Sequence, residues 1–221
     1  MSLSERLRAE ASEVWEKCFE HPFVQGIGRG DLDEDRFRRF LLQDYLFLVD
    51  YARVLAFASA KAPDLDAQLW FAKLLHATHT VEMEGHRRLC AGWGIASTDL
   101  ERTEALPTTV AYASFLVRRA AAGDVGELAA SLLPCQWGYA DIGRRLKEQG
   151  LPAHDRFAEW IESYADPDYQ ALTDWLRGFV DAIGAGIDEG TSRRWSRTFQ
   201  TTLRYEFAFW EMAWAGEDWP V

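Results

Sequence analysis

A chain of 221 residues with 35 acidic and 24 basic side chains carries a formal net charge of −11. Its basic residues fall in scattered pairs such as Arg38-Arg39, Arg87-Arg88 and Arg193-Arg194, not in the continuous positive surface that nucleic acid requires. No run of 18 uninterrupted apolar residues occurs and the charged, amphipathic start has no leader-like core, so the sequence predicts a cytoplasmic protein that spans no membrane.

At this length one domain, residues 1–221, buries about 70% of its unfolded surface. Cys18, Cys90 and Cys135 are odd in number, far apart and free of any CxxC pair, which fits reduced thiols and no zinc site. Ten Trp, thirteen Phe and seven Tyr supply a core and enough aromatic surface to stack a flat ring, and the acidic balance suits a cationic small ligand.

Ser2-Leu3-Ser4-Glu5 reads as a capping box, followed by Leu7, Ala11, Val14, Trp15, Cys18 and Phe19 at helical spacing up to His21, where Pro22 stops the run. Gly26, Gly28 and Gly30 alternate in the next piece. With no strand before them they read as a turn-rich connection rather than a phosphate loop. Asp33 caps a helix from Glu34 to about Lys61, whose apolar stripe Phe37, Leu41, Asp44, Leu48, Tyr51, Leu55 carries a carboxylate in a core slot. Such a group needs a structural partner or a ligand that donates to it, and Phe47 shares enough of that face to lie against whatever Asp44 holds.

A third helix, from near Asp66 to Cys90, carries His76, His79, Glu82 and His86 at spacings of three and four. A di-iron centre would need a second helix with a Glu-x-x-His set. The remaining histidines, His21 and His154, do not provide one, so these four read as polar helix positions and no metal is expected. Pro107 opens a helix that reaches Gly123 with Tyr112 on it. Asp124 caps the next, Val125 to Gln149, and helices follow from Asp155 to about Tyr164, Asp168 to about Ile187, and Ser192 to about Ala215. The last repeats the oddity of the second, because its stripe Trp195, Phe199, Thr202, Glu206, Phe209, Ala213 places a glutamate inside. No segment alternates convincingly. The fold class is all-α, a bundle of about seven or eight helices.

The Val125–Gln149 segment holds the residue most open to two readings. Along Leu128, Leu132, Cys135, Tyr139, Ile142 the thiol points into the core, directly after a proline that removes a backbone donor and should kink the helix. Taken alone, Cys135 is either a small buried hydrophobe or a nucleophile. Three distant helices thus each place one reactive group, Asp44, Cys135 or Glu206, in an apolar stripe, while Tyr112, Tyr139 and Tyr164 face inward. Periodicity leaves open whether these form one enclosed active site or separate, satisfied core polar groups.

The stretches His21-Pro22-Phe23-Val24-Gln25-Gly26-Ile27-Gly28, Leu42-Gln43-Asp44, Ala111-Tyr112, Leu132-Leu133-Pro134-Cys135 with Tyr139, Trp160-Ile161 with Tyr164, and Tyr205-Glu206 with Phe209-Trp210 together resemble the TenA or thiaminase II family, whose fold resembles that of haem oxygenase. The resemblance covers nearly the whole chain. It implies hydrolysis of aminopyrimidines from degraded thiamin, and of thiamin itself, to hydroxymethylpyrimidine for salvage, by a homotetramer without a cofactor. It further implies Cys135 as nucleophile, Glu206 as catalytic acid and base, Asp44 as the carboxylate that holds the pyrimidine amine, and Phe47, Tyr112, Tyr139, Tyr164 and Phe209 as pocket residues. Glu82 and His86 fit the family pattern outside its catalytic set. Position 47, which the resemblance leads one to expect as tyrosine in several relatives, is phenylalanine here, which keeps stacking and loses a hydroxyl. Two other functions stay open: a ligand-sensing regulatory protein, opposed by the charge balance if it must touch DNA, and a cofactor-binding oxidase on the same fold, whose sites are richer in His and Arg.

Overall fold

Helical periodicity between breakers becomes twelve α-helices and no strand in the computed structural model, which describes residues 1–221. In chain order these are α1 (Leu3–Glu10), α2 (Ser12–Glu20), α3 (Pro22–Arg29), α4 (Glu34–Lys61), α5 (Leu65–Ala77), a π-helical turn (Thr78–Glu82), α6 (Met83–Ala91), α7 (Ser97–Leu100), α8 (Pro107–Ala122), α9 (Val125–Gln149), α10 (Asp155–Tyr164), α11 (Pro167–Ile183) and α12 (Glu189–Ala215). The fold class is the expected one, and no helix is long and apolar enough to cross a membrane.

The helices outnumber the expected seven or eight because three segments divide differently and the four-residue α7 forms where no helix is expected. The first run breaks at Ala11, which carries no cap side chain. Ser4 is drawn to α11 instead, its amide and hydroxyl donating to Asp181 at 2.6 and 3.1 Å, while α2 packs on α12. Pro22 does not end structure. It occupies the first turn of α3, where a missing N–H costs nothing, and His21 Nδ1 caps that turn by accepting from Phe23 N at 3.2 Å. The glycine alternation therefore lies within a helix: a Cβ on Gly28 would stand 2.7 Å from the Leu146 side chain, so this glycine lets α3 touch α9. Third, the helix from Leu65 to Ala91 passes through the π turn, where Met83 N–H donates to the Thr78 carbonyl five residues back. The Thr78 and Thr80 hydroxyls donate to the Leu74 and His76 carbonyls, a pairing that competes with the regular ladder.

A core of 52 buried residues runs unbroken from Leu7 to Ala213. The long α9 lies at its centre, with α3, α4, α8, α10, α11 and α12 packed around it. The helix continues through Pro134, whose missing N–H leaves the Ala130 carbonyl without its helical donor one turn before Cys135. Buried polar pins fix the neighbours. Glu127 of α9 accepts from Thr198 of α12 at 2.8 Å and from Arg119 of α8 at 3.0 Å. Gln43 of α4 accepts from Leu106 N at 2.9 Å and Thr109 Oγ1 at 2.8 Å, tying the start of α8 to the residue before Asp44.

Candidate active site

Asp44 is 4% exposed and Glu206 4%, with Cys135 at 8%. Burial of two carboxyls in an apolar stripe demands partners, and both have them. His86, on α6 just past the π turn, donates through Nε2 to Asp44 Oδ2 at 2.8 Å and through Nδ1 to the Glu82 carbonyl at 2.8 Å. A backbone carbonyl has no proton to give, so Nδ1 carries one, and Nε2 then faces a carboxylate only comfortably as N–H. Burial works against the imidazolium, yet the hydrogen bond and charge of Asp44 carry its pKa above the usual histidine value. The two side chains form a contact sealed inside the bundle, in which Asp44 favours the protonated form of His86. Sequence reasoning had grouped His86 with His76, His79 and Glu82. Those four form no ligand set: no group of three or more His, Cys, Asp or Glu side chains is placed to hold a metal ion, and His79 faces a separate groove beside Tyr45 and Arg87.

Glu206 accepts a hydrogen bond from the Tyr112 hydroxyl. Desolvation dominates its titration, opposed by Tyr112 and reinforced by the Asp44 charge, and lifts its pKa to about 8. The Cys135 thiol is likewise pushed up, first by burial and then by Glu206, Glu82 and Asp44, so it rests as a thiol. Glu82, raised to about 7 by burial and by Asp44, reaches the same region from the π turn. Burial pushes the phenols of Tyr139 and Tyr164 up, and Asp44, Glu206 and Cys135, in their ionised forms, add to that. The three reactive groups of distant helices therefore occupy one region.

Aromatic rings wall it. Phe47 packs 4.6 Å from the Tyr112 ring and 5.8 Å from Phe209, and Tyr139 lies 4.8 Å from Tyr164 and 5.2 Å from Trp210. A cavity of about 510 Å³ leads inward between the π turn with α6 and the pair α10 and α11, past Trp160, Tyr164 and Tyr169 to His86 and Gln136. Its wall is acidic, with Glu82, Glu159, Glu162, Asp166 and Asp168 against Arg88 and His86, and these two are paired with Glu159 and Asp44. Asp44, Cys135 and Glu206 do not line this vestibule themselves, and His86, which does, connects it to Asp44. Gly143 allows that arrangement, since a Cβ there would come within 2.7 to 2.9 Å of Tyr164 Cβ, the Tyr164 carbonyl carbon and the Ala165 nitrogen.

Besides His86, sequence reasoning passed over Tyr51 and Tyr169. Tyr51 reads as one more member of the apolar stripe, although it sits on Asp44's face two turns on, and Tyr169 lies in the first turn of α11, two residues past Pro167.

Comparison with known proteins fits this geometry. The TENA/THI-4/PQQC family profile matches residues 8–216. The chain is 40% identical over 222 residues to the aminopyrimidine aminohydrolase of Halalkalibacterium halodurans, covering 99% of this chain and 98% of that protein. Among solved structures, a TenA homologue from P. horikoshii OT3 superposes with a TM-score of 0.89 at 32% identity, covering 98% of this chain and all of that one (100%). A Shewanella denitrificans domain with a heme oxygenase-like fold superposes at 0.72 with 12% identity, covering 96% and 92%, which speaks for the fold alone. With a profile match over nearly all its length and a full-length relative at that identity, the chain belongs to the TENA/THI-4/PQQC family.

Proposed function

We propose that this protein is an aminopyrimidine aminohydrolase of the thiaminase II type, which hydrolyses aminomethylpyrimidines derived from thiamin, and thiamin itself, to hydroxymethylpyrimidine. The observation that carries the reading is the convergence of Asp44, Cys135 and Glu206 behind an acidic, aromatic vestibule in a chain 40% identical to a protein of that name.

An aromatic pyrimidine does not release a substituent from its exocyclic carbon unaided. Asp44, fixed by His86, accepts hydrogen bonds from the ring amine and sets the ring's orientation. Glu206, neutral below a pKa of about 8, donates its proton to a ring nitrogen. As carboxylate it then takes the thiol proton of Cys135, whose sulfur adds to the ring carbon beside the substituted one. The added electron pair breaks the bond from the exocyclic carbon to nitrogen, so a substituent held as ammonium departs as the neutral amine and the thiazolium of thiamin as neutral thiazole, and the amine takes up the proton that the incoming water releases. Water adds to the exocyclic methylene, the thiolate leaves, and the ring recovers its aromaticity. The net change is replacement of the amine by hydroxyl, with no oxidation. Tyr139 and Tyr164 supply polar contacts, and Phe47, Tyr112 and Phe209 the apolar wall. The vestibule of about 510 Å³ has room for a leaving group far larger than ammonia, and its acids favour a cationic one.

The reading includes one cytoplasmic domain acting without a cofactor as a homotetramer, whose mass in solution tests the assembly. Incubation with the aminomethylpyrimidine and with thiamin should release hydroxymethylpyrimidine from wild type and not from Cys135→Ser. Equal release by both proteins refutes the covalent route, and no release by either refutes the function.

A further inference from the structure

Tyr51 is buried at 2% exposure, and its hydroxyl has no hydrogen-bond partner. Phenylalanine would fill the same space without that unsatisfied group, so packing gives no reason for the oxygen. Its place does. Tyr51 lies one turn beyond Phe47 on the face of α4 that carries Asp44, and stacks on the Phe47 ring at 5.7 Å. Phe47 in turn covers Tyr112, whose hydroxyl is committed to Glu206.

A thiolate in this bundle faces three carboxyl groups, Glu206 from α12, Glu82 from the π turn and Asp44 from α4, all of which oppose its charge. A buried anion persists only with donors aimed at it. The two N–H groups of His86 are spent on Asp44 and the Glu82 carbonyl, and the Tyr112 hydroxyl on Glu206. Tyr51 holds an uncommitted hydroxyl donor, sealed from water, and Cys135 is the side chain its hydroxyl can pair with.

We propose that Tyr51 is a positioning residue whose hydroxyl donates to the sulfur of Cys135 as the thiolate forms. The Cys135 sulfur is within hydrogen-bonding reach of that hydroxyl, and once ionised it is the charge that bears most on Tyr51. Its own ionisation lies well above the ordinary phenol value, so the proton stays on oxygen and Tyr51 serves as a donor, not as the base. The inference rests on Cys135 being the nucleophile and adds the group that stabilises its charged form.

Two independent readouts test it in Tyr51→Phe. Removal of an unpartnered hydroxyl leaves the urea unfolding midpoint equal to wild type or higher. The rate of iodoacetamide labelling at Cys135, followed by peptide mass spectrometry at one alkaline pH, falls roughly 10- to 100-fold, the size of one hydrogen bond to a charged group. With the aminomethylpyrimidine as substrate, kcat falls by a similar factor while KM stays within about twofold, because the pairing matters after binding. Tyr45→Phe is the control. That hydroxyl accepts from Arg87 at 2.7 Å, and its loss moves neither rate. Unchanged labelling in Tyr51→Phe overturns the proposal even if kcat drops. Slower labelling in a protein whose wild type releases no pyrimidine upholds the pairing and refutes only the assigned reaction.

Discussion

Glu206 offers a prediction that needs no substrate. Its pKa rises from 4.5 to about 8 on folding, mainly through burial. Between those values the folded protein holds a proton on this carboxyl that the unfolded chain has released, so the group stabilises the fold at low pH and that contribution disappears as pH rises towards 8. The slope is about −1.4 kcal/mol per pH unit, and across roughly two units, from about pH 5.5 to 7.5, Glu206 alone removes about 3 kcal/mol. Glu206→Gln keeps an oxygen that accepts from Tyr112 and has no proton to lose. Its stability relative to wild type, measured by urea unfolding at several pH values, should therefore increase by about 3 kcal/mol over that range. Glu82 and His86, both also raised, contribute slopes of the same sign. They are present in both proteins and cancel in the difference. Parallel stability curves would mean that Glu206 is already ionised in the folded protein, and the neutral acid of the proposed mechanism would be gone.

Cys135→Ser should abolish turnover while shifting the thermal midpoint by no more than a few degrees, as a small buried group replaces a near-isostere. Circular dichroism melting checks this. Asp44→Asn should do more than weaken pyrimidine binding, because it removes the carboxyl that holds buried His86, and a loss of about 3 to 5 kcal/mol in urea unfolding is expected. Adding His86→Gln should restore at least about 1 kcal/mol of it, and strict additivity of the two changes would refute the buried pair. Gly143→Ala forces α9 away from the backbone at Tyr164 and should cost about 1 to 3 kcal/mol. It should also raise KM by displacing Tyr164, so an unaltered KM would argue against that tyrosine as a substrate contact.

Much of the architecture was legible because 3.6-residue periodicity survives wherever a helix has one buried face. Asp33, Asp124 and Pro107 mark the starts of α4, α9 and α8 through local chemistry. Asp44 and Glu206 stood out as acids in apolar stripes, and Cys135 as a thiol after a mid-helix proline. Features fixed by distant contacts left no local trace. The break at Ala11 depends on Ser4 meeting Asp181, some 177 residues away in sequence. Gly28 of α3 answers to Leu146 of α9, across a packing contact that spacing alone cannot reveal. His86 was visible as a residue but not as Asp44's partner, since its neighbours at helical spacing suggested a ligand row. The π turn places it differently from that row, and three- and four-residue counting assumes a regular ladder.

That turn also makes chain length between Ala77 and His86 a mechanical setting. An α-helix advances about 1.5 Å and turns about 100° per residue. Removing one residue from 78–82 would let the ladder close regularly. The imidazole would then swing about a quarter of a revolution around the axis, and the acid it clamps would be left facing empty space. Insertions and deletions that a surface loop absorbs without effect would here dismantle a reaction centre whose other members lie on different helices and have not moved.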